Sequence, residues 1–286
     1  MNASENEDGL VPLWGKRSLH RLPFIVIADL VRSRHLLSLL VKRDLNARYR
    51  RAYLGYAWAV LEPLLLAMVY TFIFTILVGS SDPLYSVKIV VGIIGWSLFS
   101  RSLTTSTKSL SSSINLFQFA RVPKTVFATS GTLTNVVLSV ISLTSLVPFF
   151  IINDLPVSTS LVLVPLWLAL ISFTGWSIGL LLAPIACKVP DVLNLINFLV
   201  RAGFFLSPVM WTYDMFSSRF GEGWHAVVAH LNPTVVPITG MRDAVLGTSS
   251  AIPLYGYAMC FSIAVVAYVL GTMVFERKAH AAVVNV

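Results

Sequence analysis

An all-α integral membrane protein with six membrane-spanning helices is the fold this sequence predicts, and three observations predict it. Hydrophobic residues make up 56% of the 286-residue chain and charged residues only 12%, with a mean hydropathy of +0.78. Long apolar runs of that composition belong in a bilayer. The first of them, Tyr56 to Val78, has 23 residues, enough to cross a hydrocarbon core of ~30 Å at ~1.5 Å per residue with some tilt. Lys42, Arg43, Arg48, Arg50 and Arg51 are packed against its start, and clustered cations mark the end of a span that stays in the cytoplasm.

Residues 1–20 are polar and acidic at first and read as a cytoplasmic tail, with no charged-then-apolar leader pattern. Phe24 to Val41 is apolar but broken by Asp29, Arg32, Arg34 and His35, so it cannot span. Val26, Leu30, Leu37 and Val41 fall on one helical stripe, and Arg32, His35, Ser38 and Lys42 on another. Residues 22–52 are therefore an interfacial amphipathic helix followed by a basic entrance. The transmembrane domain, 53–275, has expected spans at about 56–78, 84–107, 126–152, 160–186, 192–211 and 253–275, a basic loop at 111–124, and a mixed exterior region at 212–252. Residues 276–286 read as a second cytoplasmic tail.

Six spans put both termini on one side. Seventeen Lys and Arg then lie inside and three outside (Lys88, Arg219 and Arg242), with Arg201 inside span five. That bias fixes an inside N-terminus. The net charge of +8 sits in loops between spans and not on a folded polar face, which excludes nucleic acid. Cys187 and Cys260 occupy different apolar segments, so no disulfide is expected.

Enzymatic motifs are absent. There is no phosphate-binding G-x-x-x-x-G-K-[ST] loop. His225 and His230 are five apart and face different sides of a helix, so no metal site is expected. The one G-x-S-x-G string, Gly175 to Gly179, falls mid-span, where it reads as a G-x-x-x-G contact for close helix approach. Intramembrane charge is the better lead, because it is tolerated only against a partner or water. Glu62 lies two turns into span one and Arg201 near the middle of span five. They either pair and lock those spans or line a polar pathway between them. Tyr56, Tyr70, Phe198, Phe204 and Phe205 on the same spans are candidate pathway aromatics, whereas Trp58 and Trp211 near span ends suit an interfacial belt.

The stretch from Lys42 to Leu66 resembles the approach to span one in ABC-2 type permeases that export O-antigen, capsule or teichoic acid. It carries Arg43, Asp44, Arg48, Tyr49 and Arg50, then Leu54, Gly55, Trp58, Leu61, Pro63 and Leu64. Span five, with Gly203, Ser207, Pro208 and Val209, is similar to the family's, and Asn232, Pro233, Arg242 and Asp243 resemble its exterior gate helices. Arg201 departs from the pattern, which more often has a neutral polar residue there.

The resemblance implies a homodimer in the bacterial plasma (inner) membrane, bound to two copies of a separate ABC ATPase that holds ATP-Mg, with no cofactor in this chain. Loop 111–124 would be the coupling helix, with Phe117, Phe119, Arg121 and Lys124 on the ATPase. ATP binding would move that helix and separate spans one and five at the dimer interface. The implied substrate is a polyprenyl-pyrophosphate-linked glycan, whose phosphates Arg48, Arg50 and Arg51 would meet with guanidinium forks, or those residues would anchor anionic lipid. A lipid or drug exporter of the same fold is the alternative.

Overall fold

The computed structural model describes residues 22–50, 52–78, 82, 84–112, 123–221, 223–250 and 252–284. Among them every regular element is helical. Four helical stretches are long and apolar enough to cross a membrane: Tyr85–Ser112, Thr125–Ile152, Thr159–Lys188 and Leu254–Ala279. Two further expected spans are α3 (Ala57–Val78), whose 22 residues are about the length of one crossing, and the shorter α8 (Asp191–Leu206).

The bundle is built around α4 (Tyr85–Ser112) and α7 (Val164–Lys188). In α4, 72% of the most apolar window is buried, against 33% in Thr125–Ile152 and in Leu254–Ala279, so α4 is the central span and those two are flanks. Small residues let the central pair meet. A Cβ on Gly175 would lie 2.7 Å from the Phe99 carbonyl oxygen, and one on Gly179 2.8 Å from that of Leu103. Only glycine permits backbones this close, as the G-x-x-x-G spacing predicted. Ile89, Ile93, Ile94, Leu98 and Ile171 fill the resulting core.

Around that pair, α12 (Leu254–Val284) flanks α7, and α5 (Thr125–Ser142) flanks α4. The chain after α5 continues as a 3-10 turn, Leu143–Leu146, into α6 (Val147–Ile152). α3 packs on α4 and α5 and leaves Leu65, Met68, Val69 and Phe72 exposed. α8 touches α4 and, thinly, α7, leaving Leu195, Phe198, Leu199, Phe205 and Leu206 exposed.

The structure departs from the sequence expectations at several boundaries. The amphipathic segment is two helices, α1 (Leu22–Arg32) and α2 (Arg34–Tyr49), parted at Ser33. Its apolar stripe does not simply rest on lipid. Val26 packs among Leu110, Phe275 and Ala279, while Leu37 and Leu40 pack on Val126. The Tyr268 hydroxyl also donates to the Pro23 carbonyl at 2.7 Å. The polar stripe is exposed as expected. Span five ends as a helix at Leu206, short of 211, because Pro208 cannot donate and drives Ser207 to an extended ψ of 156°. Most of the expected terminal tail is helix instead, since α12 runs on to Val284.

The region from 212 to 252 forms three short helices, α9 (Tyr213–Phe220), α10 (Trp224–His230) and α11 (Val235–Leu246). α9 exposes Asp214 and Arg219, while α10 buries Ala226 and His230 and leaves Trp224, Val227 and Val228 exposed. α11 is sunk between α4 and α7, with Val235, Ile238, Met241 and Val245 buried.

Candidate functional site

The chain turns from α2 into α3 through Gly55, whose φ of 49° lies in the left-handed region that favours glycine. This turn opens a cavity of about 620 Å³ lined by Arg43, Asn46, Ala47, Arg50, Gly55 and Tyr56. Arg43 donates to the neighbouring Asp44 carboxylate at 2.8 Å, and both are accessible. Of the three arginines assigned to phosphate, Arg50 lines this cavity. Arg48 reaches away from it towards the Asn135 side-chain oxygen at 3.4 Å, and Arg51 lies outside the described residues. Arg43 and Asn46 were the missed contributors. Tyr56 lines this cavity.

Glu62 does not meet Arg201. Its carboxylate accepts from Arg101 of α4 at 2.7 Å, and neither side chain is fully enclosed. Arg101 belongs to a stripe, Ser97, Arg101, Thr104, Thr105 and Lys108, which holds the only incompletely buried positions from 97 to 108. Successive spacings of four, three, one and three put these residues on one helical face. Asn135 of α5 donates to Thr105 from the facing side at 3.3 Å, and a narrow pocket beside the ion pair is lined by Ala59, Glu62, Ser97, Arg101, Ser139 and Ser142 among others. The polar seam thus runs between α3, α4 and α5. The signal was legible in the sequence as that periodic stripe.

Arg201 is exposed on α8, with no hydrogen bond or ion pair among the described residues. Phe198 and Phe205 lie three residues before it and four after on the same face, and both are exposed. Phe204 turns inward and meets Tyr70 of α3 with ring centroids 5.3 Å apart. Spans one and five therefore approach through rings and not through charge.

At the far end, Arg242 is buried and anchors the break after α8. It donates to the carbonyls of Lys88 at 2.8 Å, Val209 at 2.6 Å and Trp211 at 2.9 Å. The Tyr85 hydroxyl takes the Met210 carbonyl at 2.6 Å. Burial pulls the Arg242 pKa down to about 10, against upward pulls from Tyr85 and Asp243, so the guanidinium stays charged at neutral pH. Asp243 accepts from Thr248 and Ser250 and closes the turn after α11. Asn232 donates to Ser207 at 2.9 Å while Thr234 donates back to it. Pro233 offers its carbonyl to the Cys260 thiol at 3.7 Å.

A second cavity, of about 520 Å³, opens between α4, the end of α8, α9 and α10. Its walls carry a chain of rings: Trp211 to Phe216 at 5.5 Å, Phe216 to Phe220 at 4.9 Å, Phe220 to His225 at 5.4 Å, and His225 stacked on Trp224 at 3.8 Å. The spacing of aromatics at 216, 220 and 224 was the available signal. His230 is fully buried between Tyr213 and Tyr255. Among the described residues no cluster could hold a metal ion, and neither Cys187 nor Cys260 is in a disulfide.

In the basic loop, Phe117, Phe119 and Arg121 lie outside the described residues. Lys124 caps the start of α5 and is half-buried; burial lowers its pKa, opposed by Glu276 and Cys187. Its ammonium therefore faces the chain's own helix ends.

A model of the family described as "ABC-2 type transporter" matches residues 35–246. An O-antigen export system permease protein RfbA from Myxococcus xanthus is 28% identical over 218 residues, covering 76% of this chain and 82% of the relative. A protein of the same description from Klebsiella pneumoniae is 25% identical over 246 residues, covering 85% and 91%.

Proposed function

The chain belongs to the ABC-2 type transporter family, and we propose that it is the membrane-spanning permease of an exporter for a lipid-linked cell-surface glycan of the O-antigen kind. Two copies of the chain work with two copies of a separate ATPase in the inner membrane, with both termini cytoplasmic. The observation that carries the substrate reading is the cavity at the foot of α3, where Arg43, Arg50 and Asn46 converge beside Tyr56. Guanidinium forks with an amide between them suit the oxygens of a diphosphate. The sugar chain attached to that diphosphate then has the aromatic faces of α3 and α8 above it.

Arg201 supports the same route. A cation exposed among Leu195, Phe198, Leu199 and Phe205 is expensive against acyl chains and must face water or a partner. A dimer joined along α3 and α8 covers those bare faces and places Arg201 on the enclosed path. The coupling assignment of loop 111–124 stays part of the proposal.

The test is glycan-stimulated ATP hydrolysis by the assembled complex in nanodiscs. Arg50→Ala and Arg43→Ala each raise the half-saturating concentration of lipid-linked glycan by about tenfold, the loss of one charge-assisted contact, with a smaller change in turnover. Stimulation by drugs or phospholipid and not by glycan would refute the substrate reading, as would both variants saturating like the wild type.

A further inference from the structure

Pro63 stands inside α3. It has no N–H to give the carbonyl four residues back, which is that of Ala59. An orphaned carbonyl in a bilayer must find another donor. The donor comes from a different helix: the Ser142 hydroxyl lies 2.7 Å from the Ala59 oxygen.

Ser142 marks a second irregularity. It is the last residue of α5 before the 3-10 turn Leu143–Leu146, and a 3-10 stretch inside a long helix often marks a hinge. Spans one and three are thus interrupted at the same level and joined to each other there. One turn along α3, Glu62 is tied to Arg101 of α4. The pocket between these groups has a volume of about 10 Å³, at the lower limit for one water molecule.

The Ser142 hydroxyl also lies 2.9 Å from the Leu138 carbonyl of its own helix. It has one proton and two acceptors. If α3 moves away, the hydroxyl rotates to Leu138 and stays satisfied, while water from the adjoining pocket serves Ala59. The contact can therefore break without stranding a donor, which distinguishes it from an ordinary packing bond.

We propose that the turn from Ala59 to Pro63 is a joint in span one, and that Ser142 and Arg101 are positioning residues that fasten it to spans three and two. Export requires this fastening to open and close in every cycle. The inference rests on the transporter reading for its purpose, but not on the identity of the cargo.

Two readouts on the full complex with its ATPase test it. The first is glycan exported per ATP hydrolysed. Ser142→Ala lowers that ratio by about threefold, the population shift expected from one interhelical hydrogen bond in a membrane, and Ser142→Thr, which keeps the hydroxyl, restores it. Pro63→Ala returns an N–H to Ala59, straightens α3 and lowers the ratio further. Glu62→Arg alone is defective, and adding Arg101→Glu recovers part of the loss.

The second readout is a spin-label distance between Met68 of α3 and Ile151 of α6, both exposed in the single chain, on a chain freed of Cys187 and Cys260. Two distance populations exchange during ATP turnover, and Pro63→Ala collapses them to one. A single unchanging distance in the otherwise wild-type complex, or full coupling in both Ser142→Ala and Pro63→Ala, overturns the joint while leaving glycan export standing. Exchange of distances in a complex that exports no glycan supports the joint and removes the cargo assignment instead.

Discussion

Replacing Arg242 by methionine separates a structural clamp from a substrate-facing cation. The side chain is 4% exposed and holds three carbonyls from two parts of the chain, Lys88 at the start of α4 and Val209 and Trp211 after α8. Methionine fills much of the volume but leaves those acceptors without their donor, at ~1–3 kcal/mol each. Relief from burying an unpaired cation offsets part of this, for a net loss of about 3–5 kcal/mol. At ~2–4 °C per kcal/mol for a chain of this size, apparent Tm falls by about 10 °C. The assay is thermal unfolding of the detergent-solubilised protein followed by size-exclusion chromatography, with exposed Arg219→Met as the matched control, which shifts Tm by less than ~2 °C. Tyr85→Phe removes the Met210 contact and costs about 1 kcal/mol. An Arg242→Met protein that melts with wild type while losing glycan stimulation would show that the arginine acts on cargo and that the clamp is a wrong account.

Two further outcomes follow from the packing and the surface charges. Gly179→Val drives a side chain into the Leu103 carbonyl and the Ser106 side chain of α4; backbone cannot yield as a rotamer can, so folded yield collapses, whereas Gly223→Ala, with open space around it, extracts normally. At Asp82, burial raises the carboxyl pKa, but Lys88 at 2.7 Å and the Leu84 N–H outweigh it, and the net pKa is lowered. Its contribution is present above the ordinary carboxylate pKa and lost as pH falls through the lowered value, so the Tm gap between wild type and Asp82→Asn closes only in acid. For so exposed a pair the gap stays under ~1 kcal/mol.

Much of the chain was readable in advance. Tyr56 to Val78 announces a span because its apolar length is a local property, and the stripes through Val26 and Arg32 announce which side of α1 and α2 is buried because helical period is local too. Gly175 and Gly179 announced a close helix contact on α7, though not its partner, for the same reason: a missing Cβ is visible in one segment alone. Where a rule acted within a few residues, as Pro208 does on Ser207, the error was only one of boundary.

Membrane residence and the small-residue seam of α7 were thus determined by composition and period. Partnership was not. The sequence leaves Glu62 and Arg201 either paired or lining one pathway; in the structure Glu62 takes Arg101 and Arg201 is exposed. Arg242, placed by resemblance on an exterior gate helix, anchors the loop after α8, a partnership that its own segment does not reveal. Such choices depend on how each helix is rotated about its axis and slid along its neighbours. Packing against several helices at once sets that rotation and slide, so no single segment can carry the answer.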